Sequence, residues 1–175
     1  MLQSHASYFL TTERLGLRRW SHQDLPLAMA LWGDAEVTRF IGGPFSEDKV
    51  RERLEKEIAS IEQHGVQYWP AFLLASEDFV GCCGLRSYRP EQKILELGFP
   101  LRPAYWGSGL AQESARAVIR FAQQSLGAEG LFAAHHPENQ ASQKVLCKLG
   151  FRFTHEELYR ATGKLHRCYL LRLRK

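Results

Sequence analysis

Leu95-Glu96-Leu97-Gly98-Phe99-Pro100-Leu101-Arg102-Pro103-Ala104-Tyr105-Trp106-Gly107-Ser108-Gly109-Leu110-Ala111 is the stretch on which the fold reading turns. An apolar strand with one carboxylate runs into a glycine turn, and the turn opens into a helix expected from Gln112 to about Leu126. A helix N-terminus offers unpaired backbone N–H groups and a partial positive charge. Glycines at 107 and 109 carry no side chain that would hold a ligand away from those groups. The product is a backbone cradle suited to a pyrophosphate, beside an acidic strand. An ordinary strand-to-helix turn has the same composition, so Gly-x-Gly-x-Ala is weak evidence alone. It is not a P-loop, because no Gly-Lys-Ser/Thr follows. It is a poor dinucleotide fingerprint, because the glycine spacing differs and no acidic residue closes a later strand about 20 residues on.

Upstream, Arg14 to Trp20 alternates and predicts a first strand. A helix carrying Leu27, Ala30 and Leu31 should end near Gly33. Ser46, followed by Glu47 and Asp48, should cap a second helix with Val50, Leu54, Ile58 and Ile61 on one face, closed by Gly65. Tyr68–Ala75 and Phe79–Leu85 read as a hairpin, and Ile94–Leu101 as a fourth strand. Pro100 cannot donate to a ladder, so that strand should bulge or splay there and leave backbone free for a ligand. Downstream come a strand over Gly130–His135, a helix from about Pro137 to Leu149 stopped by Gly150, and a final hairpin turning at Ala161–Lys164.

The 175 residues fit one domain, 1–175 with a core of about 12–173, large enough to bury a core without staples. No apolar run is long enough for a bilayer, and Met1-Leu2-Gln3-Ser4-His5 lacks a secretory n-region, so the expected compartment is the cytoplasm. The net charge of +4 suits an acidic ligand, but scattered basic residues without interleaved aromatics argue against nucleic acid. Cys82 and Cys83 should point to opposite sheet faces, and the four cysteines read as reduced. His135-His136 finds no partners at ligand spacing, so no metal is expected.

Four segments in this order resemble the GNAT superfamily of N-acetyltransferases, within it the RimJ/RimL-type branch: Thr12-Glu13-Arg14-Leu15-Gly16-Leu17-Arg18; Gly81-Cys82-Cys83-Gly84-Leu85; Glu96 through Ala111; and His136-Pro137-Glu138-Asn139-Gln140-Ala141-Ser142 through Leu149-Gly150-Phe151. The resemblance spans about Thr12 to Leu173. It implies a mixed α/β fold around a mostly antiparallel sheet of about seven strands, splayed after the fourth, with about four helices. It also implies acetyl-CoA in the split and an amine acceptor, with no nucleic acid or membrane partner. Trp106 stands where the superfamily motif has Gln or Arg, but Tyr-Trp-Gly is common in this branch.

By that resemblance, pantetheine pairs with Phe99, Pro100 and Leu101, where a backbone N–H serves as oxyanion donor. The diphosphate rests on Trp106, Gly107, Ser108, Gly109, Leu110 and Ala111. Glu96 is the candidate general base, its structural alternative being a sheet residue paired with an arginine. The tyrosine that many members use as general acid is Leu146 here, so Ser142 is the candidate substitute. Asn139 is a candidate for the pantetheine amide, or else only a helix cap. Arg102, Lys144 and Lys148 are candidates for the 3′-phosphate, and Trp32, Phe40, Phe45, Tyr68 and Trp69 for the acceptor groove. The acceptor stays open between a protein or peptide α-amine and a small amine such as a polyamine, an aminoglycoside or an amino-acid-like molecule. An inactive CoA-binding sensor is a third reading, and monomer and homodimer are both open.

Overall fold

The computed structural model describes residues 7–173, so Met1–His5 lies outside the described residues. The strands are β1 (Leu10–Thr11), β2 (Leu15–Leu17), β3 (Tyr68–Leu73), β4 (Phe79–Arg89), β5 (Ile94–Gly98), β6 (Gly130–His135), β7 (Arg152–Tyr159) and β8 (Lys164–Arg172). The α-helices are α1 (Leu25–Trp32), α2 (Ala35–Thr38), α3 (Glu47–His64), α4 (Leu110–Gln124) and α5 (Gln140–Lys148). All eight strands form one sheet in the order β1-β2-β3-β4-β5-β6-β8-β7. Every neighbouring pair is antiparallel except β5 with β6.

The sheet is a middle layer. On one face Trp20, Leu31, Trp32, Val50, Leu54 and Cys82 join a core covered by α1 and α3. On the other, Cys83, Leu85, Leu97, Leu131, Ala115, Val118 and Ala122 pack under α4. Cys82 and Cys83 thus lie on opposite faces, as alternation requires. The helix ends also follow the sequence. Ser46 Oγ accepts from the Lys49 N–H at 3.4 Å, and Gly65 closes α3 in the left-handed region at φ 71°. Gly150 follows α5 at φ 90°.

The counts differ from about seven strands and about four helices, because β1 has two residues and α2 four. Elements that short present no period to read. The predicted strand from Arg14 to Trp20 shrinks to Leu15–Leu17. The long helix begins at Leu110 rather than Gln112, because Gly109 takes the N-cap place at φ 81°.

The sheet splits beside Pro100 without a bulge, and the N–H that proline lacks faces β4, so Pro100 does not itself part β5 from β6. Gly84 opposes Gly98 and Gly81 opposes Leu101, so the register between β4 and the chain after β5 is unchanged. The Cys82 N–H donates to the Pro100 carbonyl (2.9 Å) and the Arg102 N–H to the Val80 carbonyl (2.9 Å). On the opposite edge β5 and β6 pair only from Ile94↔Gly130 to Glu96↔Phe132. Beyond Glu96 the two strands part, and β6 continues to His135 paired with β8 alone.

Candidate active site

The parted strands open a cleft of about 1030 Å³. Residues alternate the edge to which their N–H and C=O point. Pro100 and Arg102 are bonded to β4, so Phe99 and Leu101 address the cleft. The Phe99 N–H and C=O and the Leu101 N–H have no backbone partner among the described residues. The Leu101 carbonyl is occupied by the Trp106 indole N–H at 2.8 Å. Trp106 therefore ties the glycine turn to the strand end, while its ring remains half exposed.

Gly107 and Gly109 sit at φ 73° and 81°, a region costly for residues with a Cβ. Their turn aims the first N–H groups of α4 into the cleft, whose wall includes Gly107, Gly109, Leu110 and Ala111. Ser108 faces elsewhere. Its hydroxyl donates to the Tyr105 carbonyl (2.7 Å), and its carbonyl accepts from Arg14 (3.0 Å). Glu113, in the first turn of α4, accepts from the Thr12 hydroxyl (2.6 Å), the Arg14 backbone N–H (2.9 Å) and Arg14 Nε (2.7 Å). Burial would raise the Glu113 carboxyl, but these bonds outweigh it and hold the group below its usual value. Thr12 and Arg14 thus fasten the β1–β2 connection to the glycine turn at the start of α4.

Across the cleft, Asn139 caps α5, its side-chain oxygen accepting from the Ser142 N–H at 3.0 Å. Asn139, Ser142, Lys144, Leu146 and Lys148 all line the cleft. Leu146, where the resemblance implies a tyrosine in many members, is buried. Arg102 is placed elsewhere, donating to the Phe79 carbonyl at 2.9 Å.

Glu96 faces the cleft from β5 opposite Arg86 on β4. The simple strand pair expected for a structural Glu96 is not formed. Arg86 instead binds the buried Glu57 of α3, whose other carboxylate oxygen accepts from the Tyr68 N–H at 2.8 Å. The Arg86 guanidinium also lies 4.0 Å from the Tyr68 ring centroid. Glu96 is left without a hydrogen bond among the described residues. Burial pushes its carboxyl above the usual value, against the opposing pull of Arg86 and Arg53. The Tyr68 hydroxyl, packed on Gly98, is kept protonated chiefly by burial.

Of the five proposed groove aromatics, Phe40 and Tyr68 line the cleft. Trp32 and Trp69 are fully buried, and Phe45 packs against the core under α3. The reading missed Arg53, Arg86 and α2. The β7–β8 turn packs Ala161 close to Gly42, a contact with no local sequence sign. His135 is held by the His136 carbonyl at Nδ1 (2.7 Å) and Tyr169 at Nε2 (3.2 Å), and burial favours its neutral form. His136 stacks on Phe40. One group among the described residues has metal-ligand spacing: His155, Glu157 and Cys168, whose ligand atoms lie within 4.8 Å of one another. Its members are on two strands, joined by the register His155↔Cys168, so linear spacing gave no sign of it. No helix among the described residues is long and apolar enough to cross a membrane.

The pattern of the acetyltransferase (GNAT) domain matches residues 14–152. An uncharacterized N-acetyltransferase, p20, of Bacillus licheniformis is 29% identical over 95% of this chain and 96% of its own. An FsC-acetyl coenzyme A-N(2)-transacetylase of Aspergillus fumigatus is 32% identical over 86% of this chain and 66% of its own. The RimL ribosomal L7/L12 alpha-N-protein acetyltransferase in complex with coenzyme A has the same fold, with TM-score 0.81 and 18% identity over 95% of this chain and 98% of that one. A split sheet, a backbone edge facing the split and a glycine-opened helix at its mouth fit acetyl-CoA, and with the matched domain they place this chain in the GNAT family of acetyl-CoA-dependent N-acetyltransferases.

Proposed function

We propose that this chain acetylates the α-amine of a peptide or protein N-terminus, by direct transfer in a ternary complex. The carrying observation is Glu96, a cleft carboxylate with no hydrogen-bond partner among the described residues, beside the unpaired edge of Phe99 and Leu101. Acetyl-CoA would lay its pantetheine along that edge and its diphosphate on the N-terminus of α4. A Phe99 or Leu101 N–H would stabilise the thioester oxyanion. Glu96 would take the amine proton, directly or through water, and Ser142 would hydrogen-bond the departing sulfur. A thiol of pKa about 8.5 needs no full protonation to leave.

Direct transfer is favoured by the state of the cysteines. Of the four, Cys168 alone lines the cleft among the described residues. Burial and the carboxylates of Glu157, Glu96 and Glu156 push its thiol up to about 11, so it is not a thiolate nucleophile at neutral pH. An α-amine of pKa near 8 is roughly a quarter neutral at about pH 7.5, whereas a lysine near 10.4 is about 0.1% neutral. One weak base suits the former. The RimL neighbour, an alpha-N-protein acetyltransferase, agrees with this choice. The FsC-acetyl coenzyme A-N(2)-transacetylase relative favours a second reading, a small amine acceptor.

The test is thiol release from acetyl-CoA against peptides with free N-termini, lysine peptides, polyamines and aminoglycosides. Turnover with the free N-termini is expected. Turnover confined to the small amines would select the second reading, and binding of acetyl-CoA without turnover would select an inactive sensor.

Asn139 supplies a separate check. Asn139→Ala should lose the α5 cap, about 1 kcal/mol of stability, and bind acetyl-CoA several-fold more weakly. Asn139→Ser keeps a capping oxygen and lacks the amide donor, so stability should recover while affinity stays low. Thermal denaturation and calorimetric titration read the two effects. Recovery of both would leave Asn139 as a cap alone.

A further inference from the structure

Arg53 projects from α3 into the same cleft as Glu96. Its guanidinium carbon lies 4.8 Å from the Trp32 ring centroid and 5.9 Å from that of Phe45, an apolar bed that strips it of water. Its Nε is buried without a hydrogen-bond partner among the described residues. Glu57, the buried acid nearby, is already engaged by Arg86 and the Tyr68 N–H. Glu96 is close enough to feel the Arg53 charge, yet the two form neither a hydrogen bond nor an ion pair among the described residues. Arg53 is partly buried with its Nε unsatisfied, a costly arrangement, and its planar fork matches a carboxylate. The cleft wall therefore holds one negative and one positive group that, among the described residues, pair neither with each other nor with another ion.

We infer that Arg53 is an anion seat, and that the acceptor is a primary amine carrying a carboxylate a few atoms away. Glu96 takes the amine end and Arg53 the carboxylate end; this rests on the reading of Glu96 as the amine-side group. The carboxylate has two sources, the α-carboxylate of a free amino acid or the side chain of an acidic residue at a peptide N-terminus. Phe40, Val37 and Ile41 from the α2 side give the rest of the acceptor an apolar wall.

The experiment compares acceptor pairs that differ only in that group: a free amino acid against its carboxamide, and a peptide amide beginning with Asp or Glu against one beginning with Asn or Gln. In the unaltered protein kcat/KM should favour the carboxylate member of at least one pair by about 10–100-fold, as expected for hydrogen bonds to a charged group. The pair showing the preference names the source. Arg53→Gln should abolish the preference, raising the KM of the carboxylate member far more than that of the carboxamide member, with the KM for acetyl-CoA little changed. Arg53→Lys should retain part of it. Parity within both pairs in the unaltered protein, or equal loss on both members in Arg53→Gln, overturns the seat. If no acceptor turns over, the N-acetylated products are titrated into the CoA-loaded protein. Tighter binding of the carboxylate product upholds the seat while the transfer reading falls, and equal binding overturns the seat.

Discussion

Glu57→Ala should lower the free energy of unfolding by about 2–3 kcal/mol, because it leaves the buried Tyr68 N–H unsatisfied and Arg86, which is 36% exposed, without its counter-ion. Glu57 is 2% exposed and holds both the Arg86 guanidinium and the Tyr68 N–H. Its loss leaves a buried donor unsatisfied and a cation without its counter-ion. The nearest replacement is Glu96, directly across from Arg86 in the ladder. The variant should therefore lose activity beyond what unfolding removes, because Arg86 swings to the carboxylate that must stay available. Glu57→Gln keeps an acceptor for the Tyr68 N–H and should recover part of the stability. Denaturant titration checks the first effect, and kcat/KM per folded molecule the second. A loss under about 1 kcal/mol would mean that the Glu57–Arg86 pair does not hold α3 to the sheet.

Glu96→Gln should reduce kcat/KM about tenfold near neutral pH. A positioned base is worth ~10²–10⁴ in general, and an α-amine already partly neutral needs less of it. The pH profile is the sharper readout. As the proposed base, Glu96 would work only when ionised, and burial raises its carboxyl above the ordinary 4.5. The acid limb of kcat/KM should accordingly begin above that value. Activity is full well above the raised pKa and is lost as the pH falls through it. In Glu96→Gln the limb should vanish, leaving the titration of the amine itself. A loss below roughly threefold at every pH would remove Glu96 from the base role.

Where the fold was legible, one residue's conformation or one short period decided the outcome. Gly109 had to open a helix, Ser46 and Gly65 had to bound one, and adjacent Cys82 and Cys83 had to part to opposite faces. Pro100 marks the place of the split only by coincidence of position, because the ladder donor it removes faces β4 and it adds no residue. The missing pieces were of two kinds. β1 and α2 are too short to carry a period. The others are long-range pairs: Arg14 with Glu113 is 99 residues apart, and Arg86 with Glu57 is 29. Nothing local to Arg53 marks it as an unpaired cation, because its setting exists only when α3 is packed over Trp32 beside the split. The same holds for Glu96, whose availability depends on Glu57 having claimed Arg86 first.

The most direct test is to offer one peptide bearing both a free N-terminal α-amine and an internal lysine, with acetyl-CoA, and to locate the acetyl group by fragmentation mass spectrometry. With Glu96 as the proposed base beside the proposed acetyl-CoA edge, one acetyl group is expected, on the α-nitrogen, formed about tenfold more slowly in Glu96→Gln. Acetyl on the lysine with the α-amine untouched, or a peptide left unmodified while a small amine is consumed, would contradict it.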